Sequence, residues 1–367
     1  MDILYSRDSN TTLLEKLDLL PHNTTIVNSF IKTFRVVNDN KYRKIACSIS
    51  GGWDSTVMLD IVHKCDLKHK VDYYFIDTGI EFDATKKFID YLSKKYNIKI
   101  KVIRPDKPIP TAVNEHGLPF ISKQCSEYIM RLQAKGFKFE DDTFENLVKK
   151  YCKRVYVTNG VVPKGCVQID GEYYQGCVSA LEWWCNRKGD NSFFNIKRNS
   201  YLKEFLIANP PTFPISSKCC YYAKKKPANQ MIKLGYELNL VGTRKAEGGV
   251  RRTAYKNCMS IGKTAYWGDD GCVHYCDEHR PLWFSTKEDR KQYTDHLGIE
   301  LSDCYKTYGM CRTGCAGCPL AKDYRTELEI IKNHEPKLAK AVYSIFKKSY
   351  EYTEMYRAFQ KEMREKN

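Results

Sequence analysis

The stretch Cys47-Ser48-Ile49-Ser50-Gly51-Gly52-Trp53-Asp54-Ser55-Thr56 constrains the fold more than any other part of the chain. Ahead of it, Lys44-Ile45-Ala46-Cys47-Ser48-Ile49 has the length and apolar content of a buried strand. Behind it, Val57, Met58, Leu59, Ile61 and Val62 fit the apolar face of a helix. The order is therefore strand, tight loop, helix. Two glycines adopt conformations closed to residues with a Cβ, so consecutive amides can turn toward one anion, and the helix N-terminus behind them adds partial positive charge. Asp54 or Ser55 is expected to cap that helix. The loop is not the Walker type, because no Gly-Lys-Ser/Thr closes it.

The same alternation continues downstream. Val71-Asp72-Tyr73-Tyr74-Phe75-Ile76 reads as a second strand, Thr85 to Tyr96 as a helix and Ile98 to Ile103 as a third strand. Strands alternating with helices predict an α/β fold with a doubly wound parallel sheet and right-handed crossovers. Asp77 follows the second strand, on the side where nucleotides bind such sheets. Residues 1–40 are expected to form an N-terminal helical segment, and residues 41–300 the nucleotide-binding domain with an insertion at about 136–200. Residues 301–367 form a cysteine-bearing segment with C-terminal helices. In the tail, Leu338, Val342, Ile345, Tyr352, Tyr356, Phe359 and Met363 make one packing stripe. The insertion carries Tyr173, Tyr174, Trp183, Trp184, Phe193 and Phe194 among basic residues, which could stack and neutralise single-stranded nucleic acid or build a small core.

The net charge of +16 favours a polyanionic partner, DNA or RNA among them. No apolar run reaches bilayer length and the first residues lack a signal pattern, so a cytoplasmic protein with no membrane partner is expected. In such a compartment sixteen cysteines speak for metal ligation and buried packing rather than disulfides. Cys219 and Cys220 are adjacent, and Cys315 and Cys318 have the two-residue spacing that lets both thiolates reach one metal. Four thiolates suit tetrahedral zinc or an iron-sulfur cluster. Cys272, Cys276 and His279 offer another zinc pattern, without a second ligand pair. Between the pairs, an expected strand over 237–241 leads into Gly242-Thr243-Arg244-Lys245-Ala246-Glu247-Gly248-Gly249-Val250-Arg251-Arg252, where guanidinium forks and glycine amides make a second anion site. The helix that opens after Trp283 has Ser285 or Thr286 as its cap.

These motifs carry a resemblance. The loop Ser50, Gly51, Gly52, Asp54, Ser55 resembles the Ser-Gly-Gly-x-Asp-Ser pyrophosphate loop of the ATP pyrophosphatase (PP-loop) superfamily. Asp77, Thr78, Gly79, Phe82 and Thr85 are similar to the Asp-Thr-Gly-x-x-Phe and following Thr of the phosphoadenylyl-sulfate reductase family. Cys219, Cys220, Lys224, Pro227, Cys315 and Cys318 fall on the cysteine pattern of its cluster-bearing members, and Gly242, Arg244 and Arg251 on its Gly-x-Arg segment. The resemblance implies an adenine nucleotide alpha-hydrolase-like fold and a [4Fe-4S] cluster on Cys219, Cys220, Cys315 and Cys318 in place of zinc. It also implies ATP with Mg²⁺ held by Ser50, Gly51, Gly52, Asp54, Ser55, Asp77 and Gly242. Asp54, Lys224, Arg244 and Arg251 then carry the catalytic charge work. Ala223 replaces the family's Arg, Glu247 stands one place late, and Cys311 is an extra thiol, open to ligation, sulfur transfer or no role. No cysteine follows Cys318, whereas the reductases of the family use a C-terminal Glu-Cys-Gly-x-His nucleophile.

The expectation is an ATP pyrophosphatase that adenylates an acceptor, nucleic acid foremost, for sulfur transfer from a cysteine desulfurase or other donor. A sulfonucleotide reductase releasing sulfite is the alternative, and a non-catalytic nucleotide or nucleic-acid binding protein the second. The oligomeric state is not legible.

Overall fold

The computed structural model describes residues 7–157, 161–189, 192, 194–248, 255–268 and 271–366. The chain divides into two compact units, one of residues 1–106, 223–316 and 333–335, the other of 107–222, 317–332 and 336–367.

The first unit is built on a six-stranded sheet. Its strands are β1 (Ile45–Ile49), β2 (Val71–Ile76), β3 (Ile100–Ile103), β7 (Leu238–Leu240), β8 (Met259–Trp267) and β9 (Val273–His279). Their order is β3-β2-β1-β7-β9-β8. All neighbours pair in parallel except β8 with β9. A strand covered on both faces needs a continuous apolar run, and Ile45, Ala46, Cys47 and Ile49 of β1 are at most 1% exposed. Helix α1 (Arg7–Asp18) precedes α2 (Thr24–Asn38), which starts where the Asn23 side chain accepts from Ile26 N at 3.1 Å. It buries Ile26, Phe30, Phe34 and Val37, the stripe expected of an amphipathic helix. Helices α3 (Trp53–Cys65) and α4 (Asp83–Lys95) follow β1 and β2 as crossovers. Leu59, Val62, Phe88 and Leu92 join Phe30 and Phe34 in one core.

The mostly parallel α/β sheet and the helical tail match the expected fold class. Two local expectations fail. Helix α3 begins at Trp53 with Gly52 as its N-cap and no side-chain cap bond, so neither Asp54 nor Ser55 caps it. Both lie in its first turn, and Asp54 is engaged elsewhere. The zinc pattern of Cys272, Cys276 and His279 falls on the hairpin β8–β9. Its register instead buries Cys276 with Ile232 and Tyr266, leaves Cys272 exposed, and takes His279 to the end of the strand.

The second unit contains the three-stranded antiparallel sheet β4 (Lys153–Val155), β6 (Glu172–Gln175) and β5 (Cys166–Ile169), in the order β4-β6-β5. Phe120, Trp183, Trp184, Phe205, Tyr352 and Tyr356 form its core. Trp183 and Trp184 are 1% and 0% exposed, so the stacking role considered for them gives way to packing. Phe193, Asp190 and Asn191 of that stretch lie outside the described residues. The tail is one helix, Pro336–Lys366, which buries Val342, Tyr352 and Tyr356. Among the described residues no helix is long and apolar enough to cross a membrane.

Candidate active site

Strand order reverses at β1, with β2 and β3 on one side and β7 on the other. Loops leaving the carboxyl ends of β1 and β7 therefore meet at the switch point where open α/β sheets bind ligands. Gly51 has φ +68, and a Cβ there would lie 2.9 Å from Thr85 Cγ2 of α4, so the turn and the close approach both require glycine. Ser55 Oγ accepts from Ser50 N at 3.2 Å and donates to Gly52 O at 2.9 Å, while Ser50 Oγ lies 3.1 Å from Ser55 Oγ and 3.4 Å from Gly52 N. These serine bonds hold the loop's shape ahead of any ligand.

Asp54 is held between two arginines. Arg244 Nε donates to Asp54 Oδ1 at 2.8 Å and Arg290 Nη1 to the same oxygen at 2.7 Å. Arg244 and Arg290 are 8% and 7% exposed. Arg290 lies over the Trp53 ring, 4.1 Å from its centroid, and the indole donates to Thr294 Oγ1 at 2.7 Å. Arg290 Nε is buried with no hydrogen-bond partner among the described residues. Glu247, one place later than the family pattern, accepts from Arg244 N at 2.9 Å and fixes the turn that presents this guanidinium. On the other side, the Tyr305 hydroxyl accepts from Trp53 N at 3.0 Å and from Thr313 N at 3.2 Å.

These groups line a cleft of about 1020 Å³, with Ser50, Gly52, Trp53, Asp54 and Ser55 on one wall, Gly242, Arg244 and Arg290 on another, and Tyr305, Cys311, Arg312 and Thr313 closing it. Six of the expected site residues thus meet at one cavity: Ser50, Gly52, Asp54, Ser55, Gly242 and Arg244. Gly51 shapes the loop without lining the cleft. Asp77, which accepts from Gly79 N at 3.0 Å, is not among the lining residues, and neither is Lys224. Arg251 lies outside the described residues. Trp53, Arg290, Tyr305 and Thr313 were given no role by sequence reasoning; the capping box of Thr286 with Asp289 identified the helix Lys287–His296 but not the direction of Arg290.

A buried acid sits in the loop after β2. Glu81 is 7% exposed and accepts from Thr78 Oγ1 at 2.6 Å. Burial pushes its carboxyl up, and the charge of Lys224 and the Thr78 bond pull it back in part. Thr78 Oγ1 also lies 3.9 Å from Cys315 Sγ, and Ala316 N donates to Ile80 O at 3.0 Å, docking Cys315 on this loop.

Cys315 belongs to the first unit, and Cys219, Cys220 and Cys318 to the second. Cys219 is buried and the other three are half-buried. Among the described residues no three His, Cys, Asp or Glu side chains are grouped as ligands of a metal ion.

Residues 44–141 match the family model for the phosphoadenosine phosphosulfate reductase domain. Two uncharacterised proteins of Methanocaldococcus jannaschii are similar: MJ0066, 32% identical over 149 residues, and MJ0973, 30% identical over 132. The matches cover 38% and 36% of this chain and 31% and 29% of those proteins, so the chain aligns with under a third of the curated relatives' length. Among solved structures, phosphoadenylyl-sulfate reductase of Candida auris in complex with phosphate is 13% identical at a TM-score of 0.37, covering 86% of this chain and 98% of that one. The U34-tRNA thiolase NcsA of Methanococcus maripaludis with its [4Fe-4S] cluster is 12% identical at a TM-score of 0.34, covering 90% and 80%. Through residues 44–141, then, the chain is similar to the phosphoadenosine phosphosulfate reductase domain.

Proposed function

We propose that the protein is an enzyme whose cleft binds ATP with Mg²⁺ and transfers the adenylyl group to an acceptor, which sulfur then attacks. The observation that carries this reading is Asp54 between Arg244 and Arg290 at the mouth of a glycine loop. It combines amides and guanidinium groups for phosphate oxygens with hard oxygen donors, the Asp54 carboxylate and the Ser50 and Ser55 hydroxyls, suited to Mg²⁺. An acceptor oxygen attacks the α-phosphorus, the bond to the β-phosphate oxygen breaks, and pyrophosphate leaves. Arg244 and Arg290 take up its charge, together with Arg251 from the same segment. A sulfur nucleophile then displaces AMP from the acceptor. The charge of Lys224 acts on the Glu81 carboxyl. Cys219, Cys220, Cys315 and Cys318 would hold a [4Fe-4S] cluster, which supplies sulfur-binding or structural chemistry when bound. The charge of +16 supports a nucleic-acid acceptor, with a cysteine desulfurase or similar donor as partner.

One observation favours a second reading. Cys311 is exposed and lines the same cleft. Its thiolate could attack the sulfur of an adenylyl sulfate, forming a thiosulfonate and releasing AMP, after which a thiol donor frees sulfite and leaves a disulfide. Anaerobically purified protein, assayed for pyrophosphate from ATP, for sulfite from adenylyl sulfate with a thiol donor, and for bound iron and nucleic acid, separates the two. Pyrophosphate release that depends on ATP and acceptor is expected. Sulfite release without it reverses the assignment, and neither activity in iron-replete protein removes both.

A further inference from the structure

The phosphate loop and the cysteine segment meet at one atom. The Tyr305 hydroxyl oxygen accepts the Trp53 N–H at 3.0 Å and the Thr313 N–H at 3.2 Å, and lies 3.3 Å from Thr313 Oγ1. The approach is tight: a Cβ on Gly52 would stand 3.0 Å from Thr313 Oγ1 and 3.3 Å from the Tyr305 hydroxyl. Two backbone N–H groups converging on one oxygen, one of them in the first turn of the 13-residue helix α3, form an anion-binding arrangement filled by a neutral hydroxyl. Arg290, more than nine-tenths buried, paired with Asp54 and with Nε unpartnered among the described residues, lines the same cleft. An ionised oxygen accepts from these amides about twice as strongly as a neutral one.

We propose that Tyr305 is a positioning residue that exchanges with a phosphate oxygen: when the oxygen takes the Trp53 and Thr313 amides, the Tyr305 hydroxyl leaves them and the segment from Cys311 to Thr313 resets. The inference rests on the phosphate reading of the cleft. Occupancy of the loop is thereby transmitted to Cys311, two residues from Thr313, while Cys315 stays docked through Thr78 and the Ala316 amide.

The test uses the whole chain, inorganic pyrophosphate and ATP with Mg²⁺ as probes, calorimetry for affinity, and iodoacetamide labelling of Cys311 read by peptide mass. In the wild type, pyrophosphate changes the Cys311 labelling rate by about fivefold, the scale of one hydrogen bond. Tyr305→Phe keeps the ring that packs edge-on to Trp53 at 6.0 Å but removes the competing oxygen. It is expected to bind pyrophosphate about fivefold more tightly and to label at a rate that pyrophosphate no longer alters. Equal thermal midpoints for wild type and variant establish folding. Weaker or equal binding by Tyr305→Phe, or a labelling response that survives it, overturns the exchange alone. A wild type that binds neither probe overturns the phosphate reading and the exchange with it.

Discussion

At the residue scale, Arg290 distinguishes this cleft from one that the Gly-Gly loop alone would make. A buried guanidinium is tolerated only with partners, and this one has Asp54 at 2.7 Å and the Trp53 face at 4.1 Å, with Nε left over. Arg290→Met should therefore weaken inorganic pyrophosphate binding by about 10- to 100-fold, the span of one charge-assisted hydrogen bond of ~1.5–3 kcal/mol. Arg290→Lys should restore only part of that, because an ammonium cannot both reach Asp54 and lie flat on the indole. Calorimetric titration of the two variants decides it: full restoration by lysine would reduce Arg290 to a point charge, and no loss in the methionine variant would remove it from the site.

At the element scale, strand and helix order were legible because each rests on local signals. The apolar run of β1, the Gly-Gly turn and the stripe of α2 need no knowledge of the rest of the chain. The hairpin β8–β9 escaped because its outward positions Ile261, Trp267, Val273 and Tyr275 are themselves apolar and exposed, which erases the alternation of a half-buried strand. The cleft was legible for Ser50 to Ser55 and Arg244, where glycines announce backbone approach. Arg290 and Tyr305 come from elements whose spacing says only that they are helical, and their direction is set by tertiary packing. Some backbone contacts are equally illegible yet severe. Gly117 has φ +99, and a Cβ there would fall 2.3 Å from Pro214 O, the acceptor of Leu118 N at 2.9 Å. Gly117→Ala must break that parallel bridge of Leu118 with Ile215 and is expected to cost about 3 kcal/mol or more. Gly136→Ala has the same kind of φ, +67, but open space around it, and should cost only ~1 kcal/mol. Equal shifts in thermal midpoint for the two would show that the Pro214 contact is soft.

At the scale of the whole molecule, pH acts on a chain already carrying +16 through groups whose folded and unfolded affinities for protons differ. His279 ends β9 at 1% exposure, with Nε2 3.2 Å from Thr33 Oγ1 of α2. Burial, with Arg280 and Lys32 adding to it, pulls its imidazole from 6.5 down to about 4. Below pH 6.5 the unfolded chain binds this proton and the folded chain does not until about 4, so protons favour unfolding throughout that window. Stability from His279 is complete above pH 6.5 and declines by about 1.4 kcal/mol per pH unit as pH falls toward 4. Asp277, also in β9, acts lower. Burial raises its carboxyl, but bonds from Lys41, Tyr42 and the Gly262 amide outweigh this and hold it below 3.8, so its contribution is lost only as pH drops further. Denaturant unfolding of the first unit between pH 4.5 and 7.5 should then show a slope that His279→Gln flattens and Asp277→Asn leaves in place. A slope that persists in the glutamine variant would assign the acid limb to the summed positive charge of the chain instead of to one buried imidazole.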